Sequence, residues 1–481
     1  MTHKDLEHNQ SYEWYGTFWF PTDDGAIKYS GKVSYSPDNG IQLSIQEIDP
    51  TTEGIKRLFR QDQIARKIMH GSVHGKESLM HLTLFNVVIR VRRGNFHTAQ
   101  FSGSARALLC DVHCNENDLQ GISLCYDNHF GNFFLLSGSE EENAIAYDKG
   151  KALSTGSGWE ISFRAASTGT TVHKPDDLNS IFWSFNDPDL KELKTAVAPI
   201  LENNEGGLLR RSYTEFRTSI TKKDQGIDAI LKQERLWRSF FEMLLIHSVS
   251  VLKANAYYNA KSSDNKIHKM ASPILCSIFV PKKQNRQAQI IQNLPIDYFS
   301  LGSSDRNLSD LKTCIDKWFE MNADGDWSPV IDGINRLMKM NDTFGDTSQY
   351  SALKADIETF FDLINGEKGN IDILVDYAAS DEWREKVSTE LSFPNKSSIG
   401  DHMTKIRDSI THPVGTKSVA NGFYSEVRKN PFKLQSAYAY LGALYLKAIL
   451  SHLGVAEDEV REKYCQRFIE LHANYEPINF G

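Results

Sequence analysis

The spacing at which apolar residues recur changes along the chain. Up to about residue 302 they mostly alternate, in short runs set between turn residues; beyond residue 308 they return every third or fourth position. A strand sends successive side chains to opposite faces, whereas a helix brings every third or fourth to one stripe. A chain with both periods in sequence is neither a uniform bundle nor a uniform sandwich. The reading is an α+β protein. A β-rich N-terminal domain, sandwich- or barrel-like, covers residues 1–302, and a helical bundle covers 303–481.

The β pattern begins at Tyr15-Gly16-Thr17-Phe18-Trp19-Phe20 and turns at Pro21 to Gly25. Gly31 to Ser36 and Ile41 to Ile45 flank Pro37-Asp38-Asn39-Gly40, and Asn-Gly supplies the positive φ that a tight hairpin needs. His81 to Val91, Phe96 to Phe101, Trp159 to Arg164, Ile181 to Phe185 and Pro273 to Val280 read as further strands. Within this texture Ile227, Ile230, Leu231, Trp237, Phe241, Leu244 and Leu245 keep a helical spacing, which predicts one inserted helix over about 224–257. In the second half, stripes run through Leu311–Phe319, Val330–Met338, Leu353–Ile364, Ile399–Ile410 and Leu441–Ile449. Gly366 suits a C-cap, Pro413 stops the fourth stripe, and a last helix is expected from Asp458 to His472. Tyr438, Tyr440 and Tyr445 suggest an exposed aromatic contact surface on the fifth.

Composition narrows the function. No apolar run reaches the roughly 18 residues of a membrane helix, and MTHKDLEHNQ has no apolar core of a secretory leader, so no membrane role is expected. Six Cys in 481 residues do not make a disulfide scaffold, and a reducing cytoplasm is the expected location. A net charge of −8 excludes a general nucleic-acid coat, leaving local patches such as Lys405, Lys417, Arg428, Lys429 and Lys433, which an ordinary solvated surface explains equally well. The chain has no P-loop, dinucleotide fingerprint or nucleophile elbow.

The sharpest motif is Arg407-Asp408-Ser409-Ile410-Thr411-His412, an R-x4-H at the end of an amphipathic helix. The bare spacing arises by chance about once in a chain of this composition, and Arg92 to His97 is a second match that straddles a hairpin turn. At Arg407 the helical register helps: Asp408 and His412 are i and i+4, so a carboxylate can fix the imidazole tautomer. A histidine for proton transfer and an arginine fork for phosphate suffice for RNA cleavage in which the substrate's own 2′-OH attacks. The plainer reading is a basic helix end that favours the dipole.

A second constellation is Cys110, Cys114, Cys125 and His129, three thiols and an imidazole within 20 residues. They fit a structural Cys3His zinc site, with His113 as a substitute ligand; equally, they fit small buried thiols on strands. No cofactor is expected for catalysis. His70, His74 and Glu77, read as lying in a loop, are a weaker metal-like group. The acidic residues Asp111, Glu116, Asp118 and Asp127 speak against a DNA-binding regulator built on this segment.

The placed R-x4-H, on a late helix of an all-α bundle, resembles the HEPN superfamily of ribonucleases, and Leu353 to Leu363 with Glu358 looks like the core of such a bundle. The stretch Tyr15 to Pro21, followed by Gly31 to Tyr35 and Gly40 to Leu43, is similar to the N-terminal domain of ApeA-type anti-phage proteins. The resemblance implies an RNA endonuclease of abortive-infection type, held inactive until a phage protein triggers it, with transfer RNA as the expected substrate. Arg407 and His412 would be catalytic and Asp408 would support them. One histidine per chain, where an acid and a base are needed, also leads to the expectation of a homodimer or higher homo-oligomer. The alternative from a different class is a non-catalytic helical dimerisation or binding protein with a β-rich ligand-sensing domain.

Overall fold

The computed structural model describes residues 6–21, 28–47, 63–74, 79–94, 99–126, 151–154, 158–173, 209–223, 225–246, 249–261, 267–279, 305–322, 327–338, 346–366, 369–393, 399–411, 422–455 and 458–473. Its first strands are β1 (Tyr12–Trp19), β2 (Lys28–Ser36), β3 (Gly40–Glu47), β4 (Gln63–His74), β5 (Leu79–Gly94) and β6 (Ala99–Ala105). They pair antiparallel in the ring β4-β1-β2-β3-β6-β5, and β5 returns to β4 to close it. This is a six-stranded barrel, the second of the two sequence options. Closure removes the free edges that would invite aggregation. Alternate residues fill its interior, among them Phe18, Val33, Tyr35, Leu43, Met69, Val73, Leu84 and Phe101. The strands come close enough that a Cβ at Gly16 would lie 2.1 Å from the Ser72 carbonyl oxygen, so no other residue fits there. The Asn39-Gly40 turn forms as read, with Gly40 at φ 63°.

The second half of the sheet begins at β7 (Ala107–Cys110), which pairs with β5 on one side and β13 (Ile267–Cys276) on the other. From β13 the order runs through β12 (Val251–Lys261), β8 (Leu119–Tyr126), β11 (Leu209–Thr221), β10 (Glu160–His173) and β9 (Lys151–Ser154), all antiparallel. Helix α1 (Ile227–Leu245) lies against this sheet. It is shorter than the predicted 224–257: Ile246 takes a left-handed conformation and stops it, and β12 follows. The run from Val251 buries Ala254, Ala256 and Tyr258 at alternate positions, a period of two that its helix-favouring Ala, Leu and Lys disguised. The predicted strand at 181–185 lies outside the described residues.

The helical region holds α2 (Asp305–Met321), α3 (Ser328–Leu337), α4 (Thr347–Asn365), α5 (Ile371–Ala378), α6 (Asp381–Glu390), α7 (Ile399–Thr411), α8 (Gly422–Lys429), α9 (Pro431–His452) and α10 (Asp458–His472). Gly366 caps α4 at φ 69°, as its position suggested. Helix α9 is buried along its whole length from Leu434 to Leu450. A helix apolar on every side belongs at the centre of a bundle. The predicted exposed aromatic surface is therefore corrected: Tyr438, Tyr440 and Tyr445 are all buried. Among the described residues no helix is long and apolar enough to cross a membrane.

One continuous core runs from the strands β8 and β12 through α1 into the helical region. The Trp318 indole on α2 donates to the Leu236 carbonyl on α1 at 2.9 Å, and Ser239 reaches Asn335 on α3 at 3.2 Å. Arg235 on α1 pairs with Asp332 on α3. Helix α1 thus joins the two regions and belongs to both.

Candidate functional site

Helix α7 carries the R-x4-H motif. Ile399, Met403 and Ile406 recur at four- and three-residue intervals and are buried, and Ile410 packs partly against the same core. This places the helix in the bundle with one face inward. Gly400 sits so close to α5 that a Cβ there would lie 2.2 Å from an Asp372 carboxylate oxygen. Tyr350 on α4 donates its hydroxyl to the Met403 carbonyl at 3.0 Å. Burial pushes the Tyr350 phenol well up, and the nearby Arg407 charge partly offsets this. His402 faces the Tyr424 hydroxyl on α8 at 2.7 Å through Nδ1 and stacks on Phe393 with ring centres 4.7 Å apart. These contacts fix both rims of α7.

Arg407 is partly buried, its side chain 19% exposed, and its Nη1 lies 3.0 Å from Asp408 Oδ1. The Arg407 Nε is buried and has no hydrogen-bond partner among the described residues. Asp408 is more open, at 39%. The expected contact of Asp408 with His412 falls outside the described residues; within them Asp408 pairs with Arg407. His412, Pro413 and Lys417 lie outside the described residues. The end of α7 is secured by Thr411, which donates to the Arg407 carbonyl at 3.2 Å, and by Arg428 on α8, whose Nη1 donates to the Ser409 carbonyl at 2.9 Å. Helix ends leave carbonyls without partners, and Arg428 fills one of those vacancies. Sequence reasoning placed Arg428 only in a basic patch. Its position in the last turn of α8, with the Asn430 cap beginning α9, was the available hint. Of the other patch residues, Lys405 pairs with Asp401 and Lys433 with Glu426. Glu358 pairs with Lys354, one turn earlier on its own helix, at 3.1 Å. Arg92 lies exposed on β5, and His97 lies outside the described residues.

The thiols of the second constellation are set apart. Cys110 ends β7 inside the barrel core, whereas Cys114 belongs to the core shared with the helices, and Cys125 lies on β8. Burial raises the Cys110 thiol and pushes Cys114 up to about 12, with Asp118 adding to the latter. Among the described residues no three His, Cys, Asp or Glu side chains form a group able to hold a metal, so Cys110, Cys114 and Cys125 do not converge. His129 lies outside the described residues.

His70 and His74 stand on β4 and not in a loop. His70 stacks on His113 with ring centres 4.7 Å apart, His81 meets His113 at 4.4 Å, and Trp19 packs edge-on to His113 at 5.1 Å. His113 Nε2 contacts the Gly71 carbonyl at 2.9 Å. Burial lowers the pKa of His70 and of His113, and for His113 the two neighbouring imidazoles lower it further. His70 and His113 thus form a stacked pair of imidazoles, with His81 tilted against His113. Their spacing in sequence, scattered over β4, β5 and the segment after β7, gave no warning of the cluster.

Residues 13–318 match the family described as ApeA N-terminal domain 1. The match takes in the barrel, the sheet, α1 and α2 as far as Trp318. No curated protein and no solved structure matches the chain. With more than half of its length inside that match, the chain belongs to the family of the ApeA N-terminal domain 1.

Proposed function

We propose that the chain is an anti-phage RNA endonuclease that stays inactive until a phage component engages its β-rich region. The observation that carries this reading is the partly buried Arg407 guanidinium on α7, in a helical region that follows an ApeA N-terminal domain. In the proposed reaction a base removes the proton from a ribose 2′-OH, and its oxygen attacks the adjacent phosphorus. The bond from phosphorus to O5′ breaks, and an acid returns a proton to O5′. The products are a 2′,3′-cyclic phosphate and a 5′-OH. Arg407 holds the charge that builds on the phosphoryl oxygens. His412 carries protons, and a second copy of the chain supplies the other histidine across a two-fold interface. Transfer RNA is the substrate class to try first.

The test is cleavage of total and transfer RNA by the purified full chain, alongside growth arrest on overexpression. Arg407→Ala and His412→Ala should each lower the rate by about 10²–10⁴-fold. The chemistry uses the substrate's own hydroxyl, so activity should persist in EDTA. Unchanged cleavage in either variant defeats the reading. Dimers that form normally and bind a ligand, with no cleavage under any trigger, favour the non-catalytic alternative.

A further inference from the structure

We infer that Asp408 is a brake on Arg407: its carboxylate holds the guanidinium away from phosphate, and breaking this pair readies the site. The inference rests on the RNA-cleaving reading of Arg407 and names how that same site is regulated.

Consecutive residues on an α-helix point about 100° apart and do not ordinarily meet. A separation of 3.0 Å between Arg407 Nη1 and Asp408 Oδ1 therefore requires the long arginine side chain to bend round the helix. An arginine grips a phosphate through two parallel N–H groups, from either the Nε edge or the Nη edge. The Nε edge is closed here, because Nε is buried, with no partner among the described residues. The Nη edge carries a carboxylate beside it, and an incoming phosphate would meet negative charge there. Tyr350 does not compete for the guanidinium, since its hydroxyl is committed to the Met403 carbonyl. Asp408 is the more exposed partner and can swing to water at little cost. The pair is thus the point of release, and its effect on phosphate binding is opposite in sign to that of a supporting residue.

The experiment measures binding of a short 2′-O-methyl RNA, which cannot be cleaved because its 2′ oxygen is blocked. Fluorescence anisotropy would compare the full wild-type chain with Asp408→Asn, Arg407→Ala and the double variant. Asp408→Asn should bind about tenfold more tightly, and its affinity should fall more steeply with salt, by about one unit of logarithmic slope. In the Arg407→Ala background the same change should give no tightening. Asp408→Glu should stay near wild type, since it keeps the charge. On unmodified RNA, Asp408→Asn should cleave faster.

Binding that depends on Arg407 but is unchanged or weakened by Asp408→Asn removes the brake and leaves the nuclease reading standing. Tightening that persists without Arg407 also removes it, because the effect would then be general charge. Binding indifferent to Arg407→Ala overturns the nuclease reading and the brake together.

Discussion

In the barrel interior a buried histidine is kept neutral, whereas in the helical region buried charged side chains are met by partners of opposite charge. His8 is fully buried at the foot of the barrel, where its Nε2 accepts from the Cys276 amide at 3.1 Å, and burial drops its pKa to about 4. The stacked His70 and His113 are shifted down as well. In the helices, Arg336 pairs with Asp356, and Lys447 with Glu462. Burial raises Asp356 to about 6 even beside the Arg336 guanidinium. At the joint, α1 buries Glu234 with Arg238 at 2.8 Å, and the Tyr126 hydroxyl of β8 reaches the same carboxylate at 3.4 Å. A closed barrel has no room to solvate an ion in its interior; its neutral imidazole accepts one backbone amide at Nε2, and its buried Nδ1 has no hydrogen-bond partner among the described residues. A bundle places long side chains on several facing helices, and ion pairs can span them. The two regions should therefore answer acid with opposite signs.

The largest expected effect is at the joint. Breaking a buried pair by removing one partner costs about 3–5 kcal/mol, because the other charge stays buried. Glu234→Ala should approach that range in denaturant unfolding. Asp332→Ala, which breaks the solvent-exposed pair with Arg235 on the same helix, should cost less than about 1 kcal/mol. The reverse order would mean that the regions are held by their outer seam and not by the buried network.

The second effect tests the opposite signs. The unfolded chain protonates His8 near 6.5 and the folded chain only near 4, so stability falls as pH drops between those values. The full loss is about 3 kcal/mol. Asp356 runs the other way: its folded pKa of about 6 lies above the ordinary 3.8, so the folded chain protonates first and gains stability as pH falls from 6 to 3.8. Between pH 6.5 and 5 about 2 kcal/mol should be lost at His8 and about 1 kcal/mol recovered at Asp356. His8→Gln should flatten the loss measured by thermal unfolding at pH 7 and 5. Asp356→Asn should steepen it. Two variants that move in the same direction would break the comparison.

The same contrast explains what the sequence made legible. Helical stripes are local, so the last helix was read with the bounds it has, and Gly366 was placed as the cap it is. Barrel closure rests on β4 meeting both β1 and β5, and pairings between distant segments leave no local mark beyond alternation. The short helices α5, α6 and α8 were missed because their stripes are only two turns long. Their caps were nonetheless visible: Asn370 and Ser380 accept from the amides of Ile373 and Trp383. At the candidate site, spacing and helical register single out Arg407. They do not reveal the partner of Asp408, because a contact between neighbours depends on a rotamer that no spacing rule reports.

The smallest expected effect concerns Glu358, whose sequence neighbourhood resembles the core of a ribonuclease bundle. In the structure its partner is Lys354, four residues earlier on α4. Pairs at this spacing stabilise a helix by about 0.3–0.5 kcal/mol, so Glu358→Ala should shift the denaturation midpoint only slightly. It should also leave RNA cleavage unchanged, since no contact joins Glu358 to Arg407, Asp408 or the Tyr350 hydroxyl among the described residues. Raising the salt to about 1 M should remove most of the difference between variant and wild type, as screening is nearly complete at that ionic strength. A large loss of cleavage with a small loss of stability would place Glu358 in the chemistry. The helical region would then carry a second functional charge, two residues beyond the buried Asp356, and the division between structural ion pairs and reactive groups within it would have to be redrawn.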